Sequence, residues 1–466
     1  MAFTRLSKTN AIKYTMHRRD QKMKRVLTLV LAIVVLFQFN PLIAKASTAP
    51  ELKAESAVLM EAKSGKVLYE KELHKQIYPA STTKILTAIL VLENLDLDDT
   101  VTVGDEIKHI GLDSSASGLK IGETMSARDL MWALLLPSGN DAAYTAAVTV
   151  ARKKSGDASM GIQESLSYFA DMMNKKAAEL GAKDTHFVNP DGYHDENHYT
   201  SAYDIALFSR EAMKYDLFNE IVKTRVLETT APDGEHRLWV NRNELVNQYG
   251  KYYYQFATGI KTGHTSYSGF CLAASASKSG MDLIAVVMKE PDEESRWLDT
   301  TALFEYGFNS FKEHTLFEKG QILGSVNVGK KYRKQVVSLD VSAETGYSDI
   351  LLTDDISKIE MTMQWDPELL ADTKNGEDEV KLLGPITQGQ VVGKAIFTVD
   401  GKTITETNLI SNATVMEKDI FDTFLAAMEQ VYKVRYILVA IVAAILILVI
   451  VNKISSKKAK SKSSRW

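Results

Sequence analysis

Apolar positions along the chain fall into three patterns. Residues 26–37 are apolar throughout except for Thr28, and residues 434–451 except for Arg435 and Tyr436 at their edge. Between these runs, residues 85–92 are apolar on nearly every side, which predicts a buried helix, and Pro79 suits a chain about to enter one. Apolar residues at helical spacing predict further helices over 125–136, 141–152, 163–180 and 201–213, with a closing helix over 297–311. Residues 56–60 and 66–70 read as two strands around Ser64-Gly65, and 256–265, 269–277 and 282–288 as three more. Strands first and last with helices between predict an α+β domain with an antiparallel sheet, over 47–312. From 316 to 412 short clusters of β-formers alternate with Gly and Asp turns, which predicts a small all-β domain. Ile420, Phe424, Met428, Val431 and Tyr432 then form a stripe, so an amphipathic helix is expected over 414–433, ahead of the second long apolar run.

Charge gives the two ends their meaning. Residues 1–25 carry eight Lys/Arg and one acid, and Ala44-Lys45-Ala46 follows the first apolar run, so 1–46 reads as a signal peptide cleaved after Ala46. Met23-Lys24-Arg25 would also make a conventional start. Residues 434–452 are long enough to span a bilayer as a transmembrane helix, and the tail 453–466 is basic without a single acid. The positive-inside rule places that tail in the cytoplasm and the bulk of the chain on the extracellular face of a cell membrane, anchored by one pass. Of 55 basic and 59 acidic residues, the leader holds nine and one and the last 33 residues seven and none, so the part between is strongly acidic. Such a surface argues against nucleic acid as a partner. Cys271 stands alone, which excludes an intrachain disulfide and fits the outer face of a one-membrane bacterium.

Candidate chemistry centres on Ser81, three residues ahead of Lys84 at the start of the buried helix. The two side chains share a face, near unpaired helix N–H groups that stabilise negative charge. A lysine held partly neutral can take the serine proton. Ser-x-x-Lys alone is weak, because Ser117, Ser275 and Ser455 each begin another copy. Two further motifs raise the Ser81 copy above them. Ser138-Gly139-Asn140 falls between two predicted helices and Lys261-Thr262-Gly263 within a predicted strand, followed by His264 and Thr265. In that order and context the trio is the set found in class A β-lactamases and penicillin-binding proteins.

The chain resembles the low-molecular-mass penicillin-binding proteins, the serine-type D-alanyl-D-alanine carboxypeptidases of peptidase family S11. The likeness runs from Ser56 to about Phe311 and includes Pro79 to Lys84, Pro137 to Ala143, Asn189-Pro190-Asp191-Gly192 and Gly259 to Thr265. It implies a penicillin-binding-protein/β-lactamase-like catalytic domain, and removal of the terminal D-alanine from peptidoglycan stem peptides. Ser81 is then the nucleophile, Lys84 its base, helped by repulsion from Lys261, and Ser138 the relay to the leaving group. Asn140 offers its carboxamide to the substrate backbone, and the N–H groups of Ser81 and His264 form the oxyanion hole. For the terminal carboxylate the candidates are Lys261, the hydroxyl of Thr262 or Thr265, and Arg296, which could equally be a surface residue among Glu293, Glu294 and Asp299. β-Lactam antibiotics are expected as acylating inhibitors, and the all-β domain as a spacer without chemistry. Gly139 in place of Asp and the membrane helix argue against a β-lactamase, and the short tail against a penicillin sensor. His194 and His198 lie in a loop without a helical His-Glu-x-x-His pattern, so neither a metal nor a cofactor is expected.

Overall fold

The computed structural model describes residues 48–329, 336–370, 381–416 and 420–462. The expected signal peptide and the end of the basic tail lie outside these residues. Two compact units divide the chain, 1–309 and 310–466.

In the first unit β1 (Ser56–Glu61) and β2 (Val67–Lys71) form the expected hairpin, with Gly65 at φ +76 in its turn. A single 3-10 turn, Ala80–Thr83, then leads into α1 (Lys84–Asn94). The pair β3 (Thr100–Thr102) and β4 (Thr124–Ser126) precedes α2 (Ala127–Leu135), α3 (Asn140–Ser155), α4 (Ile162–Glu179), α5 (Ala202–Ala212) and α6 (Asp216–Lys223). A second hairpin, β5 (Val226–Thr230) and β6 (His236–Val240), is followed by β7 (Ala257–Thr265), β8 (Gly269–Lys278), β9 (Met281–Glu290) and α7 (Glu293–Ser310). The sheet order is β2-β1-β9-β8-β7, antiparallel throughout, so β7 is an edge strand.

Helix α1 is buried from Lys84 to Val91 and packs against α2, α3, α4 and α5. The run from Ile85 to Val91, apolar except for Thr87, is the cause, because it presents no polar face to solvent. Side chains such as Leu86 and Ile89, both fully buried, each contribute about 1.5–3 kcal/mol. Truncating Leu86 to Ala would cost about 2–5 kcal/mol, because α1 is surrounded and cannot collapse into the gap. The helix that carries Lys84, directly after the turn with Ser81, is therefore firmly held in the unit's core.

The second unit holds a six-stranded sheet in the order β14-β16-β17-β12-β11-β15 and a two-stranded pair, β10-β13. Its elements are β10 (Phe311–Phe317), β11 (Ile322–Gly329), β12 (Val336–Ala343), β13 (Tyr347–Leu352), α8 (Thr353–Ile356), β14 (Glu360–Trp365), β15 (Lys381–Leu383), β16 (Val391–Val399) and β17 (Lys402–Ser411). Val326, Val328, Leu339, Val341, Val392, Ala395 and Leu409 form its core. Helix α9 (Ile420–Lys462) is one continuous element, about 65 Å long at 1.5 Å per residue. Its stretch Ala427–Ser455 contains an 18-residue window with a mean hydropathy of 3.0 and is long enough to cross a membrane.

Several boundaries differ from the sequence reading. Ser81 sits in the 3-10 turn rather than the first turn of an α-helix, and Asn140 opens α3 rather than ending a loop. The closing helix starts at Glu293, and Phe311, placed there at its end, opens a strand instead. The stripe helix begins at Ile420, not 414, because Val415 still pairs with Ile386. Helix α6, the β3–β4 pair and the β5–β6 hairpin went unread.

Candidate active site

Three loops converge on the turn that carries Ser81. Gly263 lets β7 approach it: a Cβ there would stand 2.8 Å from the Pro79 carbonyl oxygen and 3.1 Å from the Ser81 nitrogen. Gly139 does the same for the loop before α3, since a Cβ would lie 2.6 Å from both Asp141 Oδ1 and Ser117 Oγ and 2.7 Å from the Ala133 carbonyl oxygen. An aspartate at 139 therefore has no room, which gives a steric reason for glycine in that motif.

Asp141 is the organiser of this wall. Buried, it accepts from the N–H groups of Ser117, Gly118, Leu119 and Ala142 and from the Ser117 hydroxyl, at 2.8–3.0 Å. It thereby draws the 115–119 loop over the site. Ser115 Oγ donates to the Ser138 carbonyl at 2.7 Å, and the Asn140 N–H to the Ser115 carbonyl at 2.8 Å. Ser138 is held at φ +66, a conformation costing a non-glycine residue about 1–3 kcal/mol that only dense surroundings maintain.

Lys84 Nζ makes three contacts: Asn140 Oδ1 at 2.6 Å, the Asp191 carbonyl oxygen at 2.9 Å and Ser81 Oγ at 3.0 Å. The first two are acceptors only. A neutral amine has two N–H bonds and one lone pair, so satisfying both oxygens leaves the lone pair for the Ser81 hydroxyl. Burial lowers the Lys84 pKa to about 8, against the pull of Asp191 and Asp141. Repulsion from Lys261 is expected from the sequence to help lower it; desolvation by burial is what does so. Lys261, also buried, donates to Ser138 Oγ and the Thr262 carbonyl, each at 2.9 Å. Burial holds its pKa well below the usual lysine value, with Lys84, Arg242 and Arg296 adding repulsion.

These groups open onto a cavity of about 940 Å³ lined by Ser81, Ser138, Thr262, Gly263, His264 and Arg296, among others. Arg296 is not a surface residue: it is 5% exposed, lies over the Trp297 ring at 4.2 Å and bonds Glu293 at 2.7 Å. His264 stacks on Phe270 at 4.1 Å. Thr265 is turned to its own turn, bonding Ser268, and Thr262 is the threonine in the cavity. Sequence reasoning missed the opposite wall, Arg237 to Arg242, anchored by a two-pronged Arg237–Glu123 pair at 2.6 and 2.8 Å. His194 and His198 are separated: His194 stacks on Tyr267, while His198 bonds Thr83 inside the core. Among the described residues no group of three His, Cys, Asp or Glu side chains could hold a metal ion.

Residues 43–292, more than half of the chain, match the family model of peptidase S11, D-alanyl-D-alanine carboxypeptidase. The chain belongs to that family. As a member it is a serine-type D-alanyl-D-alanine carboxypeptidase, and its second unit matches the C-terminal domain of penicillin-binding protein 5 over residues 311–417. D-alanyl-D-alanine carboxypeptidase DacF of Bacillus subtilis is 31% identical over 424 residues, covering 86% of this chain and 97% of the relative. Penicillin-binding protein 5 of Haemophilus influenzae superposes with a TM-score of 0.56 at 28% identity, covering 80% of this chain and all of that one. The Streptomyces K15 DD-transpeptidase superposes with a TM-score of 0.52 at 30% identity, covering 56% and 99%.

Proposed function

We propose that this chain removes the terminal D-alanine from peptidoglycan stem pentapeptides through an acyl-enzyme on Ser81, and that penicillins acylate the same serine. The observation that carries this reading is the set of contacts around Lys84, which leaves its lone pair for the Ser81 hydroxyl. Neutral Lys84 takes the proton as Ser81 Oγ attacks the carbonyl of the penultimate D-alanine. The N–H groups of Ser81 and His264 hold the oxyanion, and Ser138, seated on Lys261, passes a proton to the departing amine. Asn140 orients Lys84 and offers its carboxamide to the substrate backbone. The peptide lies along the open edge of β7 as an added strand, its terminal carboxylate toward Lys261, Thr262 and Arg296. Water then attacks the ester, releasing the shortened peptide and restoring Ser81.

Helix α9 anchors the chain in this reading, with the catalytic unit outside the cell and the tail in the cytoplasm. The test of the chemistry is release of D-alanine from diacetyl-L-Lys-D-Ala-D-Ala by the detergent-solubilised chain, and its loss in Ser81→Ala with the melting transition retained. The likeness to a DD-transpeptidase favours a second fate for the same ester, transfer to an amine. D-alanine release that appears only when an amine acceptor is added would replace hydrolysis by transfer.

A further inference from the structure

Strand β7 gives the bound peptide a direction. With the terminal carboxylate at Lys261 and Thr262 and the scissile carbonyl at His264, the peptide runs toward its N-terminus past Thr265, to the turn that carries Tyr267. There the turn meets the loop that follows Gly192. The rings of Tyr267 and His194 are stacked at 3.7 Å, and Tyr78 stands edge-on to His194 at 4.7 Å. Tyr193, next in the chain, reaches across the mouth and donates its hydroxyl to Asp113 at 3.1 Å. Gly111 makes this bridge feasible, since a Cβ there would stand 2.3 Å from the Tyr193 ring.

The resulting lip has a definite chemical character. Tyr267 is 60% exposed and Tyr193 41%, so both remain open to solvent although His194 covers one face of the Tyr267 ring. Asp113 lines the same cavity as Ser81. Of the cavity's acids, Glu293 is paired with the Arg296 cation, whereas Glu244 accepts from the neutral Asn247 amide and Asp113 from the neutral phenol of Tyr193. Outward aromatic rings beside a carboxylate without a cation suit a positive charge on a hydrocarbon stem.

We propose that this lip is the subsite for the residue preceding the two D-alanines, and that it takes a long side chain ending in a primary ammonium. The methylenes lie against Tyr267 and Tyr193, and the ammonium pairs with Asp113. One residue further along an extended peptide is only about 3.4 Å, which suits a subsite immediately past His264 and Thr265. The inference rests on the carboxypeptidase reading above.

The test compares kcat/KM for Nα-acetyl-L-Lys-D-Ala-D-Ala, with a free ammonium, and its Nε-acetylated and Nε-succinylated forms, using the full chain in detergent. The unaltered chain should prefer the free ammonium over the acetylated form by about fivefold, the worth of one partly exposed charge contact with a cation–π component. Asp113→Asn should bring that ratio to about one, and Asp113→Lys should turn the preference to the succinylated peptide. Each ratio is taken within one variant, so a loss of folded protein cancels. Retention of the ammonium preference in both variants, or its absence from the unaltered chain, overturns the inference and leaves the carboxypeptidase reading standing. No D-alanine release from any of the three peptides overturns both.

Discussion

Gly192 lies so close to Ala80 that a Cβ at 192 would stand 1.8 Å from the Ala80 carbonyl oxygen, and Gly192 itself is at φ +83. The two residues join the loop whose Asp191 carbonyl holds Lys84 to the turn that carries Ser81. The nucleophile and one anchor of its base are thus positioned by a single backbone contact.

Gly192→Ala is predicted to lower stability by more than about 2 kcal/mol, through clash and left-handed strain together. It should also slow acylation by penicillin in the fraction that remains folded, because Lys84 loses its fixed acceptor. Denaturant unfolding and stopped-flow acylation check the two effects separately. Near-wild-type values for both would mean that the loop does not position Lys84.

The pH dependence of acylation follows from Lys84. With its pKa lowered to about 8, the reactive neutral amine is the minor form at pH 6 and the major form at pH 9. The acylation rate constant should therefore rise about tenfold per pH unit below 8 and level off above it. A profile flat between pH 6 and 9 would exclude Lys84 as the base.

A second titration acts on stability. Glu290 is 1% exposed, neither of its carboxylate oxygens meets a donor, and burial together with Asp299 raises its pKa to about 8. Asp299 in turn accepts from the N–H groups of Lys53 and Ala54 at 2.5 and 3.2 Å. The native state therefore holds a proton on Glu290 that the unfolded chain releases near pH 4.5. Since the native state binds more protons in this window, stability should fall as pH rises from about 4.5 to about 8. Glu290→Gln should remove that part of the decline, as read from melting temperatures at pH 5.5 and 8.5. An unchanged decline would place the titrating group elsewhere.

Much of the site was legible in the sequence because its side chains recur at short fixed spacings: Ser81 with Lys84, Ser138 with Asn140, and Lys261 with Thr262 and Gly263 within a strand. The rest was hidden for physical reasons. Asp191 holds Lys84 through its backbone carbonyl, which any residue supplies, so the residue type says nothing about that contact. The 115–119 loop is held by Asp141 through backbone N–H groups and has no periodicity to detect. Hairpin β5–β6 did carry a signal, Pro232-Asp233-Gly234, with Gly234 at φ +89, but the polar strands beside it masked the alternation. From the sequence Arg296 was equally a carboxylate ligand or a surface residue among acids, and only the fold shows its guanidinium over Trp297 and lining the cavity. The β7 edge is a property of sheet order, which no local pattern in residues 257–265 could reveal.

The central claim is that Ser81 is the acylated nucleophile, and mass spectrometry of the penicillin-treated chain tests it most directly. The account predicts one penicilloyl adduct per chain, mapped by proteolysis to the peptide containing Ser81 and absent from Ser81→Ala. An adduct on any other residue, or D-alanine release that survives Ser81→Ala, would contradict it.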